Sequence, residues 1–117
     1  MAKFAMAMIV STDLERAKTF YRTILGLQIV TDAAPHWIDF ALGDGGRLGI
    51  HPASESLRVQ PGSLQLAFTV DDVDRFVTDA RTAGVRILQD PHDASWGRFA
   101  VIADPDGYAV QVATFKG

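Results

Sequence analysis

The chain is built twice over. Met6, Asp13, Trp37 and Phe40 have counterparts 59 positions later in Gln65, Asp72, Trp96 and Phe99. Trp37-Ile-Asp-Phe-Ala-Leu ahead of Asp44-Gly45 answers Trp96-Gly-Arg-Phe-Ala-Val ahead of Asp106-Gly107, with three extra residues before the second Asp-Gly. A period this long is too great for the short units of a solenoid, so it marks two supersecondary modules.

Each module reads as β-α-β-β-β. Phe4 to Val10 is a short run of strand formers, and Ser11-Thr12-Asp13 supplies side-chain oxygens suited to a helix N-terminus. Thr12 and Glu15 have capping-box spacing. Leu14, Ala17, Tyr21, Ile24 and Leu25 then make one apolar stripe, which Gly26 closes. The second module repeats the plan with a strand over Leu64 to Val70, a cap at Asp71-Asp72, an apolar stripe of Val73, Phe76, Val77, Ala80 and Ala83, and a stop at Gly84. Strand-like stretches follow at 27–32, 36–43 and 47–51, and again at 85–88, 96–103 and 108–114. Residues 1–51 and 63–117 are thus the two modules of one domain, joined by a linker over 52–62 that holds prolines and small polar residues. Gly43-Asp-Gly-Gly46 is read as a hairpin turn and Asp104-Pro105-Asp106-Gly107 as a tight turn, neither as a phosphate loop or a catalytic carboxylate pair.

One helix covers only one face of a four-stranded sheet, so the opposite face is the candidate binding surface. Strand alternation places Leu64, Leu66, Phe68 and Val70 under the second helix, leaving Gln65, Ala67 and Thr69 on the open side. Met6 and Met8 join them by the repeat. The same reasoning puts Ile38, Phe40, Leu42, Phe99 and Val101 under the helices, and Trp37, Asp39, Trp96 and Arg98 on the open faces. Gly49, His51, Ala109, Gln111 and Ala113 fall there too.

Composition removes several alternatives. A chain of 117 residues can bury roughly two-thirds of its unfolded surface as one domain. With no cysteine it has no disulfide, thiolate ligand or sulfur nucleophile. Its net charge of −3 offers no basic stripe for nucleic acid. The apolar N-terminal run is too short to span a bilayer and reads as a first strand, which makes a cytoplasmic protein without a membrane partner the expectation.

The two β-α-β-β-β units, the Asp13-Leu-Glu-Arg-Ala-Lys-Thr-Phe-Tyr helix start and the Trp96-Gly-Arg-Phe-Ala-Val-Ile-Ala-Asp-Pro-Asp-Gly segment together resemble the vicinal oxygen chelate superfamily. That group includes glyoxalase I, extradiol dioxygenases, fosfomycin-resistance enzymes and bleomycin-resistance proteins. The resemblance implies an α+β fold of two tandem βαβββ modules forming a curved, cleft-forming mixed sheet. It also implies a homodimer, with exchange of modules as one form of it.

Metal-dependent members take ligands from the first and last strands of each module, positions held here by Met6, Gly49, Gln65 and Gln111. The usual His and Glu are missing, so the resemblance points to the metal-independent, bleomycin-resistance-like branch, with no cofactor. The expected function is sequestration of an antibiotic or a planar or aromatic metabolite, with Met6, Met8, Trp37, Asp39, His51, Gln65, Trp96, Arg98 and Gln111 as ligand-binding residues. Each has a plainer reading: the tryptophans as packing, Asp39 and Arg98 as a structural ion pair or solvated rim, the methionines as ordinary core. His36 and His92 read as surface loop residues. The alternative is a lyase, dioxygenase or isomerase of glyoxalase type, with a displaced metal or an acid-base site around His51.

Overall fold

A computed structural model describes residues 1–43 and 45–116. Asp44, on which the Gly43 to Gly46 hairpin reading centres, lies outside the described residues. The strands and helices run in the order β1 (Met6–Ser11), α1 (Leu14–Thr19), β2 (Ile29–Ala33), β3 (Trp37–Ala41), β4 (Arg47–Pro52), β5 (Gln65–Thr69), α2 (Val73–Thr82), β6 (Ile87–Ala94), β7 (Gly97–Ala103) and β8 (Ala109–Phe115). A π-helical turn over Phe20–Ile24 continues α1, and a 3₁₀ turn over Pro61–Ser63 precedes β5. The chain divides into two compact units, Met1–Val59 and Gln60–Gly117.

Each unit holds one four-stranded mixed sheet, ordered β1-β4-β3-β2 in the first and β5-β8-β7-β6 in the second. In each, the first strand runs parallel to the fourth, and the other neighbours are antiparallel. The α+β architecture of two βαβββ modules is therefore present as expected.

The helices start at Asp13 and Asp72, whose carboxylates accept from the Arg16 and Arg75 backbone N–H at 3.2 and 3.0 Å. Asp13 is the residue that caps α1, so the capping-box spacing of Thr12 and Glu15 falls one residue too early. Both helical segments end in a left-handed glycine, Gly26 at φ 70° and Gly84 at φ 87°. The first is one residue longer between cap and glycine, and the wide π turn absorbs it: Leu27 N–H bonds Tyr21 O, whereas Val85 N–H bonds Ala80 O.

Under the helices lie two apolar layers. In the first unit Ile9, Ala17, Tyr21, Ile38, Phe40, Leu48 and Ile50 are buried; in the second, Val73, Val77, Ala80, Ala100, Ile102, Val110 and Val112. Lys18 ties α1 to β2 through Asp32 at 3.2 Å, and Arg98 ties β7 to α2 through Asp74 at 2.8 Å. The Asp104 carboxylate accepts from the Asp106 and Tyr108 backbone N–H, both at 2.9 Å, which holds the β7–β8 turn as a tight turn.

The second unit departs from the expected faces. Arg98, Ala100 and Ile102 pair in register with Thr114, Val112 and Val110, the helix-side residues of β8, while Phe99 and Val101 pair with Ala113 and Gln111 on the open side. Phe99 and Val101 are thus opposite to their predicted side, and Arg98 faces the helix. The cause is a register slip. β6 is eight residues long against five in β2, and beside an irregularity that both share, between Ile29 and Thr31 in β2 and between Ile87 and Gln89 in β6, it carries another between Gln89 and His92. The extra residues therefore enter before β7 and not after Phe99. An odd slip turns every side chain of a strand to the other face. By position in the sheet, the counterpart of Trp37 is Phe99 and that of Asp39 is Val101.

Candidate functional site

On the open face of the first sheet, Met8, Gly49, Asp39 and Thr31 form one row across the four strands, and Met6, Arg47 and Ala41 form the next. Val10 lies beside His51, and Trp37 beside Ala33. Gly49 leaves a gap that the thioethers fill: a Cβ there would stand 2.5 Å from Met6 Sδ and 3.1 Å from Met8 Cε. The two sulfur side chains thus take the space in which a ligating carboxylate would have to grow.

Asp39 sits in the middle of this face and is only 2% exposed. Its Oδ2 accepts from the Trp37 indole N–H at 3.2 Å, and Arg47 Nη1 stands 3.6 Å from Oδ1. Arg47, and not Arg98, is therefore the cation that faces Asp39. His51 donates from Nδ1 to the Pro52 carbonyl at 2.8 Å, which leaves the Nε2 lone pair available in the neutral ring.

In the second sheet Gln65 and Gln111 meet directly, Nε2 of the first donating to Oε1 of the second at 3.2 Å. Trp96 lies just ahead of β7, stacked on Phe99 at 5.0 Å between ring centroids and against Phe115 at 5.2 Å. His92 is a β6 residue, not the loop residue expected, and its ring lies 4.1 Å from that of Phe99. Trp96 and Phe115 remain 38% and 59% exposed.

Arg98 is withdrawn from the open face, bonding Asp74 through Nε and Nη2 at 2.8 and 2.9 Å and Asp93 through Nη1 at 3.1 Å. These bonds raise the guanidinium pKa further and hold the Asp74 carboxyl below its ordinary 3.8. The structure thus brings Met6, Met8, Asp39, His51 and Trp37 to one face, and Gln65, Gln111 and Trp96 to the corresponding face of the other unit. Arg47, His92, Phe99 and Phe115 were missed. Placing the inserted residues before β7 would have found His92 and Phe99, whereas Arg47 and Phe115 continue the alternation that puts Gly49 with His51 and Gln111 with Ala113 on the open faces.

At the four positions from which metal-dependent members of the resembled superfamily draw their ligands stand a thioether, a glycine and two neutral amides. This set brings no charge to offset dehydration of a divalent cation and does not fit one. Among the described residues, no three His, Cys, Asp or Glu side chains gather into a group that could hold a metal. None of the helices, among the described residues, is long and apolar enough to cross a membrane.

Comparison with known proteins agrees with this architecture. The model of the Glyoxalase/Bleomycin resistance protein/Dioxygenase superfamily matches residues 3–112. The uncharacterized protein YetH of Bacillus subtilis (strain 168) is 27% identical over 100 residues, 81% of this chain and 83% of its own. Among solved structures, a protein of Agrobacterium tumefaciens determined by solution NMR is 28% identical with a TM-score of 0.84, all of both chains being covered. TnmS3, an antibiotic binding protein from Streptomyces sp. CB03234, is 26% identical with a TM-score of 0.81, covering 99% of this chain and 98% of its own.

Proposed function

Because this chain belongs to the Glyoxalase/Bleomycin resistance protein/Dioxygenase superfamily, we propose that it is a metal-independent binding protein for small, planar molecules, of the kind that sequesters an antibiotic or metabolite. The observation that carries this reading is the fate of the four ligand positions. Met6 occupies the space above Gly49, and Gln65 is bonded to Gln111. An electrophile for polarising a substrate's oxygens has no place to sit. The same faces keep adaptable thioethers and half-exposed indoles, which suit the uptake of a flat ring. The likeness to an antibiotic binding protein supports the proposal. A homodimer in the cytoplasm completes it, and scattering from a compact monomer at micromolar concentration would remove the dimer.

The test is to dialyse the purified protein against manganese, iron, nickel and zinc in turn, and to titrate planar antibiotics against its tryptophan fluorescence. Binding with no retained metal is the expected result. Near-stoichiometric retention of one metal would replace the proposal with the enzyme reading. That second reading has one specific support, the Nδ1–Pro52 bond of His51, which leaves Nε2 as the ring's acceptor in the neutral tautomer. It requires that His51→Ala abolish turnover while leaving ligand affinity intact.

A further inference from the structure

The open face of the first sheet contains a polar atom that the unit itself leaves unsatisfied. Asp39 lies on β3, an inner strand, and its Oδ1 is buried with no hydrogen-bond partner among the described residues. Arg47 Nη1, at 3.6 Å, is too far away to donate a hydrogen bond. A buried carboxylate oxygen without a donor is among the most costly features a core can carry. An apolar side chain at this position would avoid that cost.

We infer that Asp39 and Arg47 together receive a hydroxyl group of the bound molecule, and that the ligand is a planar ring system bearing a phenol-type hydroxyl. This inference rests on the binding reading above. A single hydroxyl oxygen placed about 2.8 Å from both atoms spans the gap, donating to Oδ1 and accepting from Nη1. The pair selects against other groups. An ammonium would be brought against the Arg47 guanidinium, and a carboxylate against Asp39. An ether or ketone accepts only, which leaves Oδ1 as it was. Trp37 gives the ring its place, because its indole is fixed to Oδ2 of the same carboxylate. Arg47, with its side chain 44% exposed, is the part that moves to admit the ligand.

The experiment is calorimetric titration of the full chain with 7-hydroxycoumarin and 7-methoxycoumarin, at a pH where the phenol is neutral. The two probes share a ring, and the second keeps the acceptor but loses the donor. The wild type should bind the hydroxyl compound about tenfold more tightly, the usual size of one hydrogen bond to a charged group. Asp39→Asn, which keeps an acceptor for Trp37, should shrink that preference to about twofold or less, whereas Arg47→Met, which removes the donor that both probes accept from, should weaken the two alike. Equal binding of the two probes by the wild type would mean that water or Arg47 itself closes the gap, and would overturn the inference while the binding reading stands. A preference that survives Asp39→Asn would overturn it as well, and so would unchanged binding of both probes by Arg47→Met. Binding of neither probe would overturn both.

Discussion

Gln65 donates its side-chain amide to Gln111 across 3.2 Å, joining β5 to β8 at two positions that the superfamily resemblance assigns to metal ligands. An amide pair of this kind satisfies half of each group and leaves Gln65 Oε1 as an acceptor and Gln111 Nε2 as a donor. The bond lies at the surface, where water can replace either partner. Gln111→Leu should therefore change folding stability by no more than about 0.5 kcal/mol, while the affinity for planar ligands falls. Urea denaturation beside a fluorescence titration separates these effects. A drop in stability with affinity unchanged would assign the pair a purely structural part.

The two tryptophans should differ in what their loss does to the fold. Trp37 donates to buried Asp39, so Trp37→Phe removes that hydrogen bond from the carboxylate and should cost about 1–3 kcal/mol. The Trp96 side chain packs ring to ring with Phe99 and Phe115, and a phenyl ring preserves much of that packing. Its replacement by Phe should cost about 1 kcal/mol or less. Equal costs in chemical denaturation would contradict the assigned roles.

Gly49 and Met6 should be energetically coupled. A methyl at Gly49 meets Met6 Sδ at 2.5 Å and Met6 Cγ at 3.3 Å, so Gly49→Ala displaces the thioether and should destabilise by about 1 kcal/mol, the low end for overpacking against a flexible side chain. In a Met6→Ala background the same change should cost less than half as much, since only Met8 Cε at 3.1 Å still has to yield, as a double-mutant cycle would show. The same cost in both backgrounds would mean that Met6 does not fill the gap.

Acid should loosen the β7–α2 tie. The Arg98 bonds hold Asp74 below its ordinary 3.8, so ionised Asp74 favours the folded chain above that value, and the benefit is lost as pH falls through its lower folded pKa. Arg98→Met should therefore melt below the wild type at pH 6, and the two melting curves should converge as the pH is taken down through the lowered Asp74 pKa. Because both side chains are well exposed, the difference at pH 6 should also shrink in high salt. A gap that stays constant through the acid range would show that Arg98 acts through packing alone.

Most of the fold was legible because it depends on local chemistry. Asp13 and Asp72 announce helix starts, Gly26 and Gly84 announce stops, and the alternation of Leu66 and Phe68 with Ala67 and Thr69 fixes which way β5 faces. The second module's site was misread for one reason. Trp96-Gly-Arg-Phe matches Trp37-Ile-Asp-Phe as text, yet β6 inserts residues before it, so Arg98 goes to the helix and Phe99 to the open face. Alignment by identity cannot see where an insertion is absorbed, whereas strand pairing can. Arg47 was passed over for a different reason: alternation with Gly49 and His51 puts it on the open face, but one basic residue at the start of a strand is ordinary until a buried carboxylate is found diagonally across from it.

Among the described residues every strand pairing joins residues of the same unit, and no rung of either ladder crosses from Val59 to Gln60. The two sheets are therefore insulated from one another against insertion and deletion. A residue gained or lost between Ala53 and Gln60 shifts the register of no pair, while the same event inside a unit must be taken up by a bulge or a widened helical turn, or else it turns a strand over. Both remedies are visible here, in β6 and in the turn at Phe20 to Ile24. Length variation among relatives of this chain is expected to collect at those three places.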